Sequence, residues 1–365
     1  MREKLKSAYS SLGLPRLIII CFFLLLLVAA GSLQLPIPSL LGSAVRRWVM
    51  YGILVLSMVP AVQSGISLGI VGGLLGASLA IEMNLGNAWA SLAVAVIIGA
   101  AVSSLLGVGY GILLNRVKGS EMTVSTYVGF SVIALMNIVW LSLPFKNGEL
   151  IWPLGGEGMR TTINLNSSFG EVLSETPLSF NISGQGITFG QAAADLNSAS
   201  VGLYIPTVAV IFFLVFCLFM WLFMRSKTGM AMSAAGANPK FAQATGVNVN
   251  RMRIVGTAIS TALAGVGIVL YAQSYGFLQL YNAPLMMGFH CVAAVLIGGA
   301  SVSRAKISHV LLGTFLFQGI LAVALPVANS LLPEGNLSDV LRIIISNGII
   351  LYALSKTKQG GKGDE

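Results

Sequence analysis

The chain has 365 residues, of which 56% are hydrophobic and only 9% charged, and its mean hydropathy is +0.86. Soluble domains carry roughly a quarter charged residues, so this composition excludes a water-soluble globule. The net charge of +9 does not point to nucleic acid, because the basic residues are scattered among loops instead of gathered on one face.

Apolar runs of about 20 residues, each long enough to cross a ~30 Å hydrocarbon core, recur from Leu17 to Leu354. They predict an all-α polytopic membrane helix bundle, one domain over 1–365. About ten segments are expected, near 17–35, 48–62, 66–82, 88–114, 122–144, 201–224, 254–273, 284–300, 307–329 and 338–354. The first run is followed by no small-x-small cleavage site and soluble domain, so it reads as a retained anchor.

With both termini inside, sixteen basic residues fall on the cytoplasmic side: Arg2, Lys4, Lys6, Arg16, Arg116, Lys118, Arg225, Lys227, Lys240, Arg251, Arg253, Arg304, Lys306, Lys356, Lys358 and Lys362. Four fall outside (Arg46, Arg47, Lys146 and Arg160), and Arg342 lies within the last span. The positive-inside rule supports that orientation, although the Arg46-Arg47 pair argues locally against it. Cys21, Cys217 and Cys291 all sit in apolar runs and read as small buried hydrophobes.

The third segment, Gly65 to Ala80, follows Pro60 and contains five glycines. Glycine at this density lets helices pack closely or lets a span break and re-enter, and both readings stand. Residues 145–200 differ in kind, with Glu149, Glu157, Glu171, Glu175 and Asp195 among Gly, Ser and Asn. A connection this long carries a function or local structure. The two readings are a docking surface for an extracytoplasmic binding protein and a disordered or lid-like insertion.

The stretch from Arg225 to Arg253 holds five basic residues and no acidic one. Its middle has the punctuation of a short helix. Asn238 is a good N-cap, Pro239 sits where its missing N–H costs nothing, and Gly246 is a natural left-handed stop. A helix of about seven residues cannot hold itself together in water, so it must lean on its own bundle or on another protein. A loop retained inside by charge alone would need no such order of residues.

The stretch A-x-x-x-G-V-N-V-N-R-M-R from Ala242 to Arg253 resembles the ATPase-docking loop of ABC importer permeases, in the branch of the ribose and galactose permeases. Downstream, Ala293-Ala294-Val295-Leu296-Ile297-Gly298-Gly299-Ala300-Ser301 resembles that branch's A-A-V-(x)-L-G-G-x-S signature. The resemblance implies that Asn238, Pro239, Ala242, Gly246, Asn248, Asn250 and Arg251 form a coupling helix seated in a groove of a separate ATPase subunit. It also implies a second permease subunit, identical or homologous, and an extracytoplasmic solute-binding protein. Related sugar permeases carry an Asp in a G-G-I-D-L-S-V-G stretch; this chain has Ser64-Gly65-Ile66-Ser67-Leu68-Gly69 there, a departure that bears on the solute and not on the class.

No G-x-x-x-x-G-K-[ST] phosphate loop occurs, so ATP-Mg would be used by the partner and no cofactor is expected on this chain. Glu82 and Asp339 lie at expected span ends and Glu121 begins one, which leaves no midplane carboxylate of the kind ion-coupled transporters keep. No Ser/His/Asp set, H-E-x-x-H or C-x-x-C supports an enzyme, and His290 reads as structural. Gln63, Ser67, Asn137 and Gln273 suit a water-lined path for a neutral hydroxylated solute, and helix–helix hydrogen bonding explains them equally well. The expected function is import of a small hydrophilic solute, a simple sugar first, across the cytoplasmic membrane of a prokaryote. A nucleoside, autoinducer or vitamin is the alternative within the class, and an ATP-independent transporter or channel the alternative outside it.

Overall fold

The computed structural model describes residues 14–60, 65–117, 121–151, 159–173, 180–183, 186–189, 203–300 and 305–331, with positions 344, 347, 348 and 351. Along the chain run helices α1 (Leu14–Ser32), α2 (Ile37–Leu56), α3 (Ile66–Met83), α4 (Ala88–Arg116) and α5 (Glu121–Ser142). Four short strands follow: β1 (Thr162–Asn164), β2 (Phe180–Ser183), β3 (Gly186–Phe189) and β4 (Leu203–Ile205). Then come α6 (Thr207–Arg225), α7 (Lys227–Ala237), α8 (Pro239–Ala244), α9 (Val249–Tyr275), β5 (Phe277–Gln279), α10 (Ala283–Ile297) and α11 (Ile307–Leu331).

Among the described residues, α2, α3, α4, α6, α9 and α11 are long and apolar enough to cross a membrane, while α1, α5 and α10 contribute shorter apolar helices. These nine cover nine of the expected segments, and most of 338–354 lies outside the described residues. The bundle is a multi-pass membrane protein.

Several boundaries differ from the sequence reading. Helix α2 starts at Ile37, so Arg46 and Arg47 lie within it and not in an outer loop. Charge placed the expected boundary after them. The Arg47 guanidinium instead lies 5.7 Å from the Tyr275 ring, which offsets part of its burial cost. Helix α9 begins at Val249, which puts Asn250, Arg251 and Arg253 in a helix. Helix α7 was not expected, and Cys21 is exposed on α1 where a buried position was expected.

The all-α expectation is also corrected. Strand β1 pairs antiparallel with β5, and β2 pairs with both β3 and β4. The reason lies in the polar sequence of 145–205, whose described strands satisfy their backbone by pairing.

Helix α9 is the centre of the bundle, packed against α4, α3 and α2. The most apolar windows of α3 and α9 are 72% buried, against 28% for α4 and 22% for α6, so the last two form the rim. Helix α3 is continuous, which decides between close packing and a broken span. Its glycines admit backbone: a Cβ at Gly69 would lie 2.5 Å from the Thr261 carbonyl, and one at Gly73 would lie 2.8 Å from Gly265 Cα. Ser103 of α4 donates to the Gly69 carbonyl at 2.9 Å, and Thr257 of α9 to the Gly107 carbonyl at 3.1 Å. In a bilayer, where lipid is as apolar as leucine, such close backbone packing and interhelical hydrogen bonds hold the helices together.

Candidate functional site

The site is built on the connection between α6 and α9. Arg225 ends α6 with its guanidinium 4.0 Å from the Trp221 ring. Ser226 then caps α7, accepting from the Gly229 amide at 3.2 Å. Helix α7 ends at Asn238, whose amide donates to the Ala234 carbonyl at 3.0 Å. The same Asn238 opens α8, its side chain accepting from the Phe241 amide at 3.1 Å. One residue therefore closes one helix and starts the next.

Pro239 occupies the first turn of α8, where a missing N–H is no loss. The helix stops at Gly246, whose φ of +84° suits glycine and strains other residues. The Gly246 amide donates to the Gln243 carbonyl at 3.0 Å and the Val247 amide to the Ala242 carbonyl at 2.9 Å, closing the helix end. Asn248 caps α9, accepting from the Arg251 amide at 3.0 Å. The sequence reading singled out Asn248 by resemblance alone; its capping role is visible in N-V-N-R once α9 is known to begin there.

The short helix leans on its own chain. Ala235 of α7, Ala242 of α8 and Val249 of α9 form a small buried cluster, flanked by Val247 and Met252. What it turns outward is different: Phe241 is 64% exposed and Met230 57%, beside exposed Lys240, Gln243, Asn250 and Arg251. Asn115 of α4 donates to the Asn250 carbonyl at 3.0 Å, and Arg253 to the Leu114 carbonyl at 3.4 Å, so the start of α9 is tied to α4. The result is a stiff, basic, partly apolar surface with no acidic side chain between Arg225 and Arg253.

Of the residues expected along a path, the three described ones lie on α3, α5 and α9. Ser67 is half-buried on α3, near Gly129 of α5 and Gly288 of α10. Asn137 is half-buried on α5, and Gln63 lies outside the described residues. Gln273 is fully buried near the C-terminal end of α9, where its side-chain oxygen accepts from the Leu173 amide at 3.3 Å and its amide faces Met50 Sδ at 3.8 Å. Its side chain ties α9 to the segment around Leu173.

The connection between α5 and α6 is folded where it is described. Glu82, at the end of α3, accepts from the Lys146 and Asn147 amides at 3.0 Å each. Leu150, Ile163, Leu165, Phe169 and Leu173 are fully buried. The downstream glycine pair of the Ala293–Ser301 stretch is a turn. A Cβ at Gly298 would strike the His309 carbonyl, and Gly299, with φ +91°, faces the Arg16 guanidinium.

Sequence comparisons agree with this arrangement. Residues 40–351 match the family model described as branched-chain amino acid transport system / permease component. The probable ABC transporter permease protein YphD of Escherichia coli is 32% identical over 154 residues, 42% of this chain and 44% of that one. The probable branched-chain amino acid transport permease protein LivH of Methanocaldococcus jannaschii is 26% identical over 236 residues, 55% of this chain and 73% of that one. The galactofuranose transporter permease protein YtfT of Escherichia coli is 27% identical over 139 residues, 38% of this chain and 41% of that one. The chain thus spans less than half the length of the first and third of these. No solved structure matches. With a family model matched over most of its length, the chain belongs to the ABC importer permeases of the simple-sugar and branched-chain amino acid superfamily.

Proposed function

We propose that this chain is the permease subunit of an ABC importer, moving a small hydrophilic solute inward with energy from ATP-Mg hydrolysed by a separate subunit. A simple sugar is the leading solute. Relatives named for branched-chain amino acids and for galactofuranose keep the class broad, and a nucleoside, autoinducer or vitamin fits the same machinery. The path lies at the interface with a second permease subunit, and an extracytoplasmic binding protein delivers the solute. The protein sits in the cytoplasmic membrane with ten spans and both termini inside.

The observation that carries this reading is α8: a six-residue helix, capped, stopped and packed on its own chain, that presents Phe241 outward. A helix that short survives only in a supporting frame, and a frame that exposes a large aromatic at a water-facing loop is suited to an interface. Closure of the ATPase pair would then push on α8, and the Asn248 cap and the bonds from Asn115 and Arg253 would pass that push into α9.

Phe241→Asp should insert and fold normally, because the side chain is largely outside the core, yet lose retention of the cognate ATPase subunit on affinity purification. Retention equal to wild type would sink the coupling role. Orientation is checked separately with single cysteines at Ser167 and Gln243 in a background lacking Cys21, Cys217 and Cys291. An impermeant maleimide should label the first in whole cells and the second only after permeabilisation.

A further inference from the structure

A cavity of about 660 Å³ opens beside α6, apart from the exposed face of α8. That volume falls within the roughly 300–1,000 Å³ of small-ligand sites. Val59, Trp221, Met224 and Met232 supply apolar walls, and Arg225 and Lys306 supply two positive charges. No Asp or Glu is among its described lining residues. Ser233 and Ser308 add neutral hydroxyls at the rim.

The cavity is continuous with a lipid-facing stripe. Leu214, Leu218, Trp221 and Arg225 follow one another at spacings of four, three and four, which puts them on one face of α6. All four are exposed, Leu214 at 57%, Leu218 at 55% and Trp221 at 43%. From Leu214 to Arg225 the helix rises about 16 Å, close to half of a ~30 Å hydrocarbon core. The stripe therefore runs from the bilayer interior to its surface and ends on a cation stacked against an interfacial tryptophan.

We propose that this cavity holds the headgroup of an anionic phospholipid, its phosphate shared by Arg225 and Lys306 and its acyl chains lying along Leu214 and Leu218. A soluble phosphate would meet the cations but leave the exposed Trp221 and the half-buried Met224 facing water. A zwitterionic lipid would fill the walls and bring its own cation towards two others. Only an anionic lipid satisfies both halves of the site. The requirement is that α6 ends at a membrane surface, and the docking role of α8 does not enter.

Trp221 reports on the site from within. The full chain is placed in nanodiscs of phosphatidylcholine containing a small fraction of brominated phosphatidylglycerol or, separately, brominated phosphatidylcholine of the same chains. Quenching of Trp221 is taken as the difference between the wild type and Trp221→Phe. Phosphatidylglycerol should quench more strongly than phosphatidylcholine at equal mole fraction, with two basic side chains enriching it by about tenfold or more at the site. The preference should vanish in Arg225→Gln/Lys306→Gln, while each variant's own phosphatidylcholine signal controls for any change in the indole's surroundings. Equal quenching by the two lipids in the wild type would overturn the proposal, as would a preference that survives the double substitution. Loss of the preference on adding inorganic phosphate would assign the site to a soluble anion and also overturn it. Loss of ATPase retention in Phe241→Asp leaves every one of these outcomes unaffected, so the two ideas fail separately.

Discussion

The two ends of α9 are held by opposite means. At the C-terminal end the chain folds back over the helix and buries its bonds. The Leu165 amide donates to the Gly276 carbonyl at 2.8 Å, the Glu171 amide to the Gln273 carbonyl at 2.8 Å, and β1 lies beside β5. At the N-terminal end the bonds are exposed caps, formed by Ser226, Asn238 and Asn248, around a cluster of three small buried residues. One end is an anchorage; the other is a presented surface. Between them runs about 40 Å of helix, 27 residues long, wedged against α3 and α4. A displacement at α8 cannot be absorbed by slack in that shaft, because its packing is backbone on backbone.

The comparison is broken most completely by damaging the shaft itself. A Cβ at Gly265 would lie 3.0 Å from the Gly99 carbonyl and collide with Ser103 Oγ, so Gly265→Leu should cost more than about 3 kcal/mol. The expected outcome is a protein that fails to give a monodisperse peak in detergent, with both ends of α9 lost together. A well-folded Leu variant would mean that the helices separate easily and transmit nothing.

The next effects should be confined to one end. Gln273→Leu removes the partner of the buried Leu173 amide, a loss of roughly 1–3 kcal/mol. Hydrogen exchange should rise across 165–173 and stay unchanged across 238–252. Gly246→Val does the reverse. No atom lies within 4 Å of the Cβ position there, so the cost is conformational alone, about 1–2 kcal/mol for a branched residue at φ +84°. ATPase retention should fall while the thermal stability of the bundle holds. Equal effects of the two substitutions at both ends would erase the distinction between anchorage and surface.

Much of this could be read beforehand, for reasons that differ by region. Six apolar runs announced helices long enough to cross a bilayer, since crossing demands length and hydropathy that little else imitates, and three more announced shorter apolar helices. The Asn238–Pro239–Gly246 order announced α8, because cap, proline and stop each act within a few residues. What failed depended on partners distant in sequence. Arg46 and Arg47 suggested a loop because the Tyr275 ring that accepts Arg47 is more than 200 residues away. The bond from the Leu173 amide to Gln273 was hidden because nothing local shows that residues 165–173 return to cover that side chain. The small-residue row Ala95, Gly99, Ser103, Gly107 and Gly111 was readable and overlooked. Its spacing of four marks the buried face of α4, and that face is where the shaft is gripped.

The smallest effect tests how much of the surface rests on one side chain. Asn238 serves two helices at once, but only its side chain can be removed by substitution; its amide still closes α7 on the Ala234 carbonyl. Asn238→Ala should therefore leave α7 intact and cost α8 about 1 kcal/mol. A free six-residue helix would melt at that price, yet α8 is also held by Ala242 in the cluster with Ala235 and Val249. The surface should fray instead of collapsing. Retention of the ATPase should drop by about fivefold, less than in Gly246→Val, and Asn238→Asp, which keeps the accepting oxygen, should restore most of it. Exchange at the Phe241 amide, the one donor the cap satisfies, should rise in Ala and recover in Asp. If Ala and Asp behave alike, the cap contributes nothing, and α8 is held by its apolar cluster and Gly246 alone.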